Sequence, residues 1–232
     1  MAILALRTLD LSQKRVVIDP GHGGIDGGTH DRDGLLEKDI NLEVALLLKQ
    51  FLESKSIQVV MTRDTDTSLE EYSDLKSSRY KRDLDARKKI ANQSRADVLI
   101  SLHVNARPKE PASRGVLVFY DLKAQRGKEL ATSISQAINL LVFQEFLATD
   151  AVRSKIQSGN FFILRETSIP GSLVELGFIT NPEDKKLIQD QDYKKWMAFA
   201  IGIGIIDYFG GESRFSLGKS TYLEAEDVQM VH

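Results

Sequence analysis

The sequence predicts an α/β domain in which a mostly parallel sheet lies between layers of helices. Six short β-like runs alternate with segments of helical spacing, and that alternation builds parallel sheets by crossover. Several of the runs are continuously apolar instead of alternating, as strands covered on both faces are. A chain of 232 residues with 42% hydrophobic content has enough apolar surface for one well-buried core.

The elements follow in order. The first strand is "RVVID", Arg15–Asp19, and ends at a proline. Lys38–Ser54 then carries Ile40, Val44, Leu47, Leu48 and Phe51 at helical spacing, and "IQVVMT", Ile57–Thr62, returns to strand. Asp64–Ser78 is polar, has no clear period and is longer than a usual connection, which marks a functional or mobile loop. Tyr80–Ser94 is a charged helix with a narrow stripe of Leu84, Ile90 and Ala91. Two strands come next, "DVLISLH" at Asp97–His103 and "GVLVFY" at Gly115–Tyr120, then a helix over Lys128–Leu147. "FFIL" at Phe161–Leu164 and "SLVEL" at Ser172–Leu176 read as the last two strands. Asp192–Phe209 is the final helix, stopped by Gly210-Gly211. Without an internal repeat or a Pro/Ser-rich linker, residues 14–210 read as one domain. The polar stretch 211–232 reads as a loosely held tail.

Composition narrows the function classes. With 31 Lys and Arg against 33 Asp and Glu, the chain lacks the basic excess of a nucleic-acid binder. It has no cysteine, so disulfides, thiolate metal sites and a cysteine nucleophile are excluded. Any metal must be held by His, Asp and Glu. No run approaches about 20 apolar residues, so no transmembrane segment is expected. The opening "MAILALRTLD" has too short an apolar run and no basic flank for a signal peptide, which leaves cytoplasmic and exported locations both open.

The chemistry concentrates in "VVIDPGHGGIDGG", where five glycines surround His22 just past the first strand. In open α/β sheets, ligands bind outside the carboxyl ends of strands. His103 closes "DVLISLH" and Glu175 lies near the end of "SLVEL", so three candidate ligands or bases reach one edge. Glu37, in "GLLEKDINL", stands where the first long helix starts. Two histidines and a carboxylate with an open position make a common thiol-free design for catalytic zinc. The glycines would let the backbone turn sharply and approach a metal or substrate closely. Phosphate binding fails on spacing: a G-x-G-x-x-G count from Gly21 lands on Asp26, and "GKS" at 218–220 has Ser213 where a glycine is required.

Plainer readings stand beside these. A histidine at a strand end is often just a satisfied polar residue; His30 and His232 are read as loop and tail residues. Glu37 also fits as a carboxylate favoured by the helix dipole. A carboxylate inside "SLVELGF" would be costly to bury unpaired, so Glu175 is harder to dismiss.

"VVIDPGHGGIDGG", "LLEKDINL", "ISLHVNA" and "GSLVELGFITNPED", in that order between Lys14 and Phe209, together resemble the zinc-dependent N-acetylmuramoyl-L-alanine amidases of bacterial cell-wall turnover. "TRDTD" and "LDARKKIANQSRADVLISLH" resemble the same family. The resemblance implies a twisted, mostly parallel six-stranded sheet in a three-layer α/β/α fold. It implies Zn²⁺ held by His22, Glu37 and His103, with Glu175 as the catalytic carboxylate. The implied reaction cleaves the amide between muramic acid and the first L-alanine of the stem peptide. It also implies an extracytoplasmic setting: periplasm, cell wall or spore envelope.

Division-type members carry a helical insertion that blocks the zinc and is relieved by a partner. Only "DLKAQRGKELATSIS" follows Gly115–Tyr120 here, too little for such an insertion. The chain therefore resembles the compact members, including the spore-cortex type, and no activating partner is expected. Asn105 is a candidate for hydrogen bonding the peptidoglycan or muropeptide substrate, with a turn role as its rival. Arg87 reads either as a substrate contact or as one half of a structural ion pair. Two other functions remain open: a different zinc hydrolase of wall material, such as a carboxypeptidase or de-N-acetylase, and a wall-binding module without activity.

Overall fold

A computed structural model describes residues 9–211; the tail expected over 211–232 lies, apart from Gly211, outside the described residues. Six strands form one sheet: β1 (Arg15–Pro20), β2 (Gln58–Met61), β3 (Val98–Asn105), β4 (Leu117–Tyr120), β5 (Lys155–Ser158) and β6 (Gly171–Phe178). Their spatial order is β2-β1-β3-β6-β4-β5. Every pairing is parallel except β4 against β6, so β4 runs opposite to its neighbour and brings its first residues to the edge where β6 ends.

The long helices are α1 (Glu37–Ser54), α2 (Arg79–Gln93), α3 (Gln125–Ile138), α5 (Pro182–Gln189) and α6 (Gln191–Phe209), with a single turn α4 (Phe162–Arg165). Strand periodicity sorts the core into two halves. Val16, Ile18, Val98, Ile100, Leu102, Val174 and Leu176 pack with α1, α3 and α6 on one face. Val17, Leu99 and Leu173 face the other way, onto Ala91 of α2 and onto Ile163 and Leu164 of α4. The central strands are apolar on both sides because helices cover both, and the result is the expected three-layer α/β/α sandwich. Helix α6 is buried on nearly all sides, wedged between α1 and α3, as an all-round apolar helix must be.

Three expectations need correction. "FFIL" is no strand: Phe162–Arg165 is one helical turn that tucks Ile163 and Leu164 under the sheet. Four apolar residues have no readable period, so strand and buried turn look alike in sequence. The fifth strand is instead "KIQS", a mostly exposed edge strand whose three polar residues flank Ile156, protect the edge and hide the pattern. The helix expected over Lys128–Leu147 is α-helical only to Ile138. It continues as a wider π-helical stretch over Asn139–Phe146, closed by Leu147 N–H donating to the carbonyl of Val142, five residues back. Helix α5 was not anticipated, although "NPED" carries its start: Pro182 opens it, and the Asn181 side chain accepts from the amides of Glu183 and Asp184.

The polar stretch 64–78 is a long connection containing one 3₁₀ turn, Glu70–Tyr72. It is tied to α2 through Leu69 N–H to Asp83 (2.7 Å) and Ser73 Oγ to Asp85 (2.7 Å).

Candidate metal centre and active site

The parallel register delivers the site. His103 of β3 stands opposite Glu175 of β6, and alternation puts both on the α2 face of the sheet, along with Asp19 of β1. His22 follows β1 by two residues with φ +62°, the left-handed region that ordinary side chains occupy only at a cost of roughly 1–2 kcal/mol. Glu37 is the first residue of α1 and is buried.

These side chains converge. Glu37 Oε1 lies 2.9 Å from His103 Nδ1 and 3.2 Å from His22 Nε2, and it accepts the Val104 amide at 3.0 Å. Its other oxygen accepts the Thr29 amide at 2.7 Å. The two imidazoles meet edge to face with centroids 5.1 Å apart. One ligand atom from each of His22, Glu37 and His103 lies within 4.8 Å of the others. Asp26 Oδ2 sits 3.0 Å from His22 Nδ1, a second carboxylate on the far side of that ring.

Two glycines make the convergence possible. A Cβ on Gly21 would lie 2.2 Å from His103 Cε1. A Cβ on Gly28, which has φ +69°, would lie 2.6 Å from Glu37 Oε2 and 2.7 Å from His22 Cδ2. Any larger residue would fill the space the ligand side chains occupy.

The electrostatics divide the carboxylates by role. Burial alone would raise Glu37, but hydrogen bonds and charge from His103 and His22 hold it well below the usual carboxylate range. Burial likewise opposes a charge on His22, yet Glu37 and Asp26 push it up to about 9. Glu175 is the opposite case. It is 9% exposed, and its Oε2 has no hydrogen-bond partner. Burial pushes it up to about 7, with Glu37 adding to the rise and the two histidines offsetting part of it. A buried carboxyl poised near neutrality with one lone oxygen is equipped to take and return a proton. The nitrogen and oxygen donors of the triad suit a borderline cation such as zinc, which two imidazoles and one carboxylate commonly hold with a position left open.

Arg87 takes the ion-pair arrangement that the sequence offered as one of its two readings. It is 3% exposed, and its guanidinium is committed to Asp19 (2.8 Å) and Asp83 (2.6 Å) and to the carbonyls of Pro20 and His22. Asn105 ends β3 half-buried, two residues beyond His103, and its carbonyl accepts the Ile179 amide. Several site residues escaped sequence reasoning. Arg63 is buried under the glycine loop, and Asp19 is fixed by Thr62 and Ser101 hydroxyls at 2.7 Å each. Asp184 accepts the amides of Gly115 and Phe178, locking the start of β4 to the end of β6 beside Glu175. The "TRD" that closes β2 was the one available signal for Arg63.

Similarity to known proteins extends over most of the chain. The family profile described as N-acetylmuramoyl-L-alanine amidase matches residues 16–207. The germination-specific N-acetylmuramoyl-L-alanine amidase of Bacillus subtilis is 34% identical over 203 residues, 87% of this chain and 82% of that one. Among solved structures, the CwlD amidase from Clostridioides difficile, in complex with the GerS lipoprotein, superposes with a TM-score of 0.75 at 34% identity. That match covers 86% of this chain and all of the other. The catalytic domain of CwlV from Bacillus (Paenibacillus) polymyxa gives a TM-score of 0.71 at 30% identity, covering 86% of this chain and 99% of that one.

Proposed function

Because this chain belongs to the N-acetylmuramoyl-L-alanine amidase family and hydrolyses that amide bond in peptidoglycan, we propose that it works as a zinc enzyme, with His22, Glu37 and His103 as ligands and Glu175 as proton carrier. The observation that carries this reading is the buried Glu175 carboxyl, its Oε2 without a hydrogen-bond partner, on the strand next to His103 of a triad of converging donors. Zinc held by the triad would supply Lewis acidity, polarising the amide carbonyl and acidifying water.

The protein's own residues do the rest. The glycine loop leaves room for the substrate backbone to approach the triad. Glu175 takes a proton from the attacking water as the new C–O bond forms at the lactyl carbonyl. It then delivers that proton to the L-alanine nitrogen as the C–N bond breaks, releasing a carboxylate and a free amine. Asn105, on the same face of β3 as His103, is placed to hydrogen bond the bound substrate. Residues 14–210 form the catalytic unit, acting outside the cytoplasm where peptidoglycan lies.

Only four residues, 121–124, separate β4 from α3, so no blocking helix lies between them. On that ground the isolated chain is active without a partner. The C. difficile relative is found with a lipoprotein, which makes such a protein the second component to add.

The test digests purified peptidoglycan with and without a chelator, followed by mass analysis. Free stem peptides with an L-alanine amino terminus, lost on chelation and restored by zinc, are expected. Acetate or single D-amino acids as products would instead indicate a de-N-acetylase or a carboxypeptidase. His22→Ala or His103→Ala should abolish the single zinc per chain, because no thiolate is present to substitute. A full zinc complement in either variant would overturn the ligand assignment.

A further inference from the structure

The backbone around His22 shows an unusually complete set of restraints. Five consecutive carbonyls, from Pro20 to Gly24, each accept a hydrogen bond. Pro20 accepts from Arg63 Nε (3.0 Å) and Arg87 Nη1 (2.8 Å), and Gly21 from Arg63 Nη2 (2.9 Å) and Asn41 (3.3 Å). His22 accepts from Arg87 Nη2 (2.5 Å) and Gly23 from the Asp26 amide (3.1 Å). Gly24 accepts from Lys38 Nζ (2.9 Å) while donating its amide to Asp66 (2.7 Å), and Lys38 and Asp66 pair at 2.6 Å.

Both arginines are 3% exposed, so these contacts are made away from water. The charge of Arg87 is balanced by Asp19 and Asp83, which leaves its remaining donors free to hold the loop. Arg63 spans further, adding the carbonyls of Thr65 (3.1 Å) and Lys38 (2.9 Å), and so ties the loop to the stretch after β2 and to α1. Among the described residues, the hydrogen bonds of Arg63, Arg87, Lys38 and Asp66 go to none of the three triad side chains. They act on the peptide units that aim His22.

We propose that Arg63 and Arg87, with the Lys38–Asp66 pair as an outer clasp, are positioning residues that hold His22 in its left-handed conformation before metal arrives. The proposal rests on the metal-centre reading above. Its physical content is preorganisation: the folded, metal-free loop already presents the ligand geometry, so binding does not have to order it. A lysine cannot replace either arginine, since one ammonium cannot reach the two carbonyls and two carboxylates held by Arg87, or the four carbonyls held by Arg63, in the directions a planar fork does.

The test uses Arg87→Lys, which keeps a cation against Asp19 and Asp83 but loses the fork. Zinc affinity is measured by competition with a chromophoric chelator, and ligand geometry by the d–d absorption of the Co²⁺-loaded protein. Cooperative unfolding of the metal-free variant confirms that it is folded under the assay conditions. We expect zinc binding weakened roughly 10- to 100-fold, the usual penalty for loss of a second-layer contact, together with an altered Co²⁺ spectrum. A purely structural role would lower the melting temperature and leave both readouts as in the unaltered protein. Asp66→Ala provides the independent arm, because its side chain is about half exposed (46%) and its removal leaves the core intact; a weaker loss of zinc affinity is expected. Unchanged affinity and spectrum in Arg87→Lys, or in Asp66→Ala if the former does not fold, overturns the proposal. His103→Ala run alongside separates the two levels: if it binds zinc as the unaltered protein does, the metal-centre reading itself has failed.

Discussion

Replacing Glu175 by glutamine separates the cost of burying this carboxylate from everything else at the site. The native carboxyl titrates at about 7 against 4.5 for an ordinary glutamate. A group whose folded value is raised holds its proton longer in the native state than in the unfolded one. Stability is therefore unaffected below about pH 4.5, falls as pH rises, and levels off above about pH 7. At 1.36 kcal/mol per pH unit, that interval makes ionised Glu175 a burden of roughly 3 kcal/mol at pH 8. Glutamine is nearly isosteric and does not titrate, so its stability carries no such slope. The assay is urea unfolding of chelator-stripped protein at intervals from pH 4 to pH 8. The stability difference between Glu175→Gln and the unaltered protein should move by roughly 3 kcal/mol in favour of the variant across that range. Parallel curves would refute the claim that burial raises the Glu175 carboxyl toward neutrality. In the zinc-loaded enzyme the same variant should keep metal and substrate binding but lose roughly 10²–10⁴-fold in turnover, the general-base contribution. Activity near that of the unaltered protein with zinc in place would send the proton elsewhere.

Glu37→Ala tests whether this residue does more than favour the α1 terminus. As a ligand its loss removes most metal and activity, whereas a helix-end charge alone is worth about 0.3–1 kcal/mol; retained zinc with normal turnover would leave only the latter role. Gly21→Ala places a methyl 2.2 Å from His103 Cε1, so the ring must move, and metal affinity should drop by at least about tenfold; unaltered affinity would show that the cradle tolerates a side chain. His22, raised to about 9 from 6.5, lends the metal-free protein stability that is complete below pH 6.5 and lost as pH rises through 9. Unfolding of the stripped protein from pH 6 to 10 should show this decline. Zinc should suppress it, because a metal ligand must be a neutral imidazole.

Much of the catalytic edge was legible because strand ends are written in local sequence. Apolar runs marked β1, β3 and β6. His22 just past the first, His103 closing the second and Glu175 near the end of the third were readable as candidates at one edge, with Glu37 where α1 starts. Two elements were not legible for a physical reason. "KIQS" is a strand because β4 offers it hydrogen bonds, and no hydrophobic face announces it. "FFIL" is apolar because α4 tucks under the sheet, and burial alone does not specify backbone conformation.

The local sequence determined which residue types could do chemistry and on which edge they would meet: no thiolate, two histidines, two carboxylates and a glycine-rich turn. Only the tertiary structure decided how those residues behave. The proton affinity of Glu175 depends on the layers that remove it from water. Arg87 became a clamp on the His22 carbonyl because α2 packs across the sheet from a position 65 residues away in the chain. Burial and long-range pairing are properties of the assembled fold, set by what surrounds a residue in space and not by its neighbours along the chain.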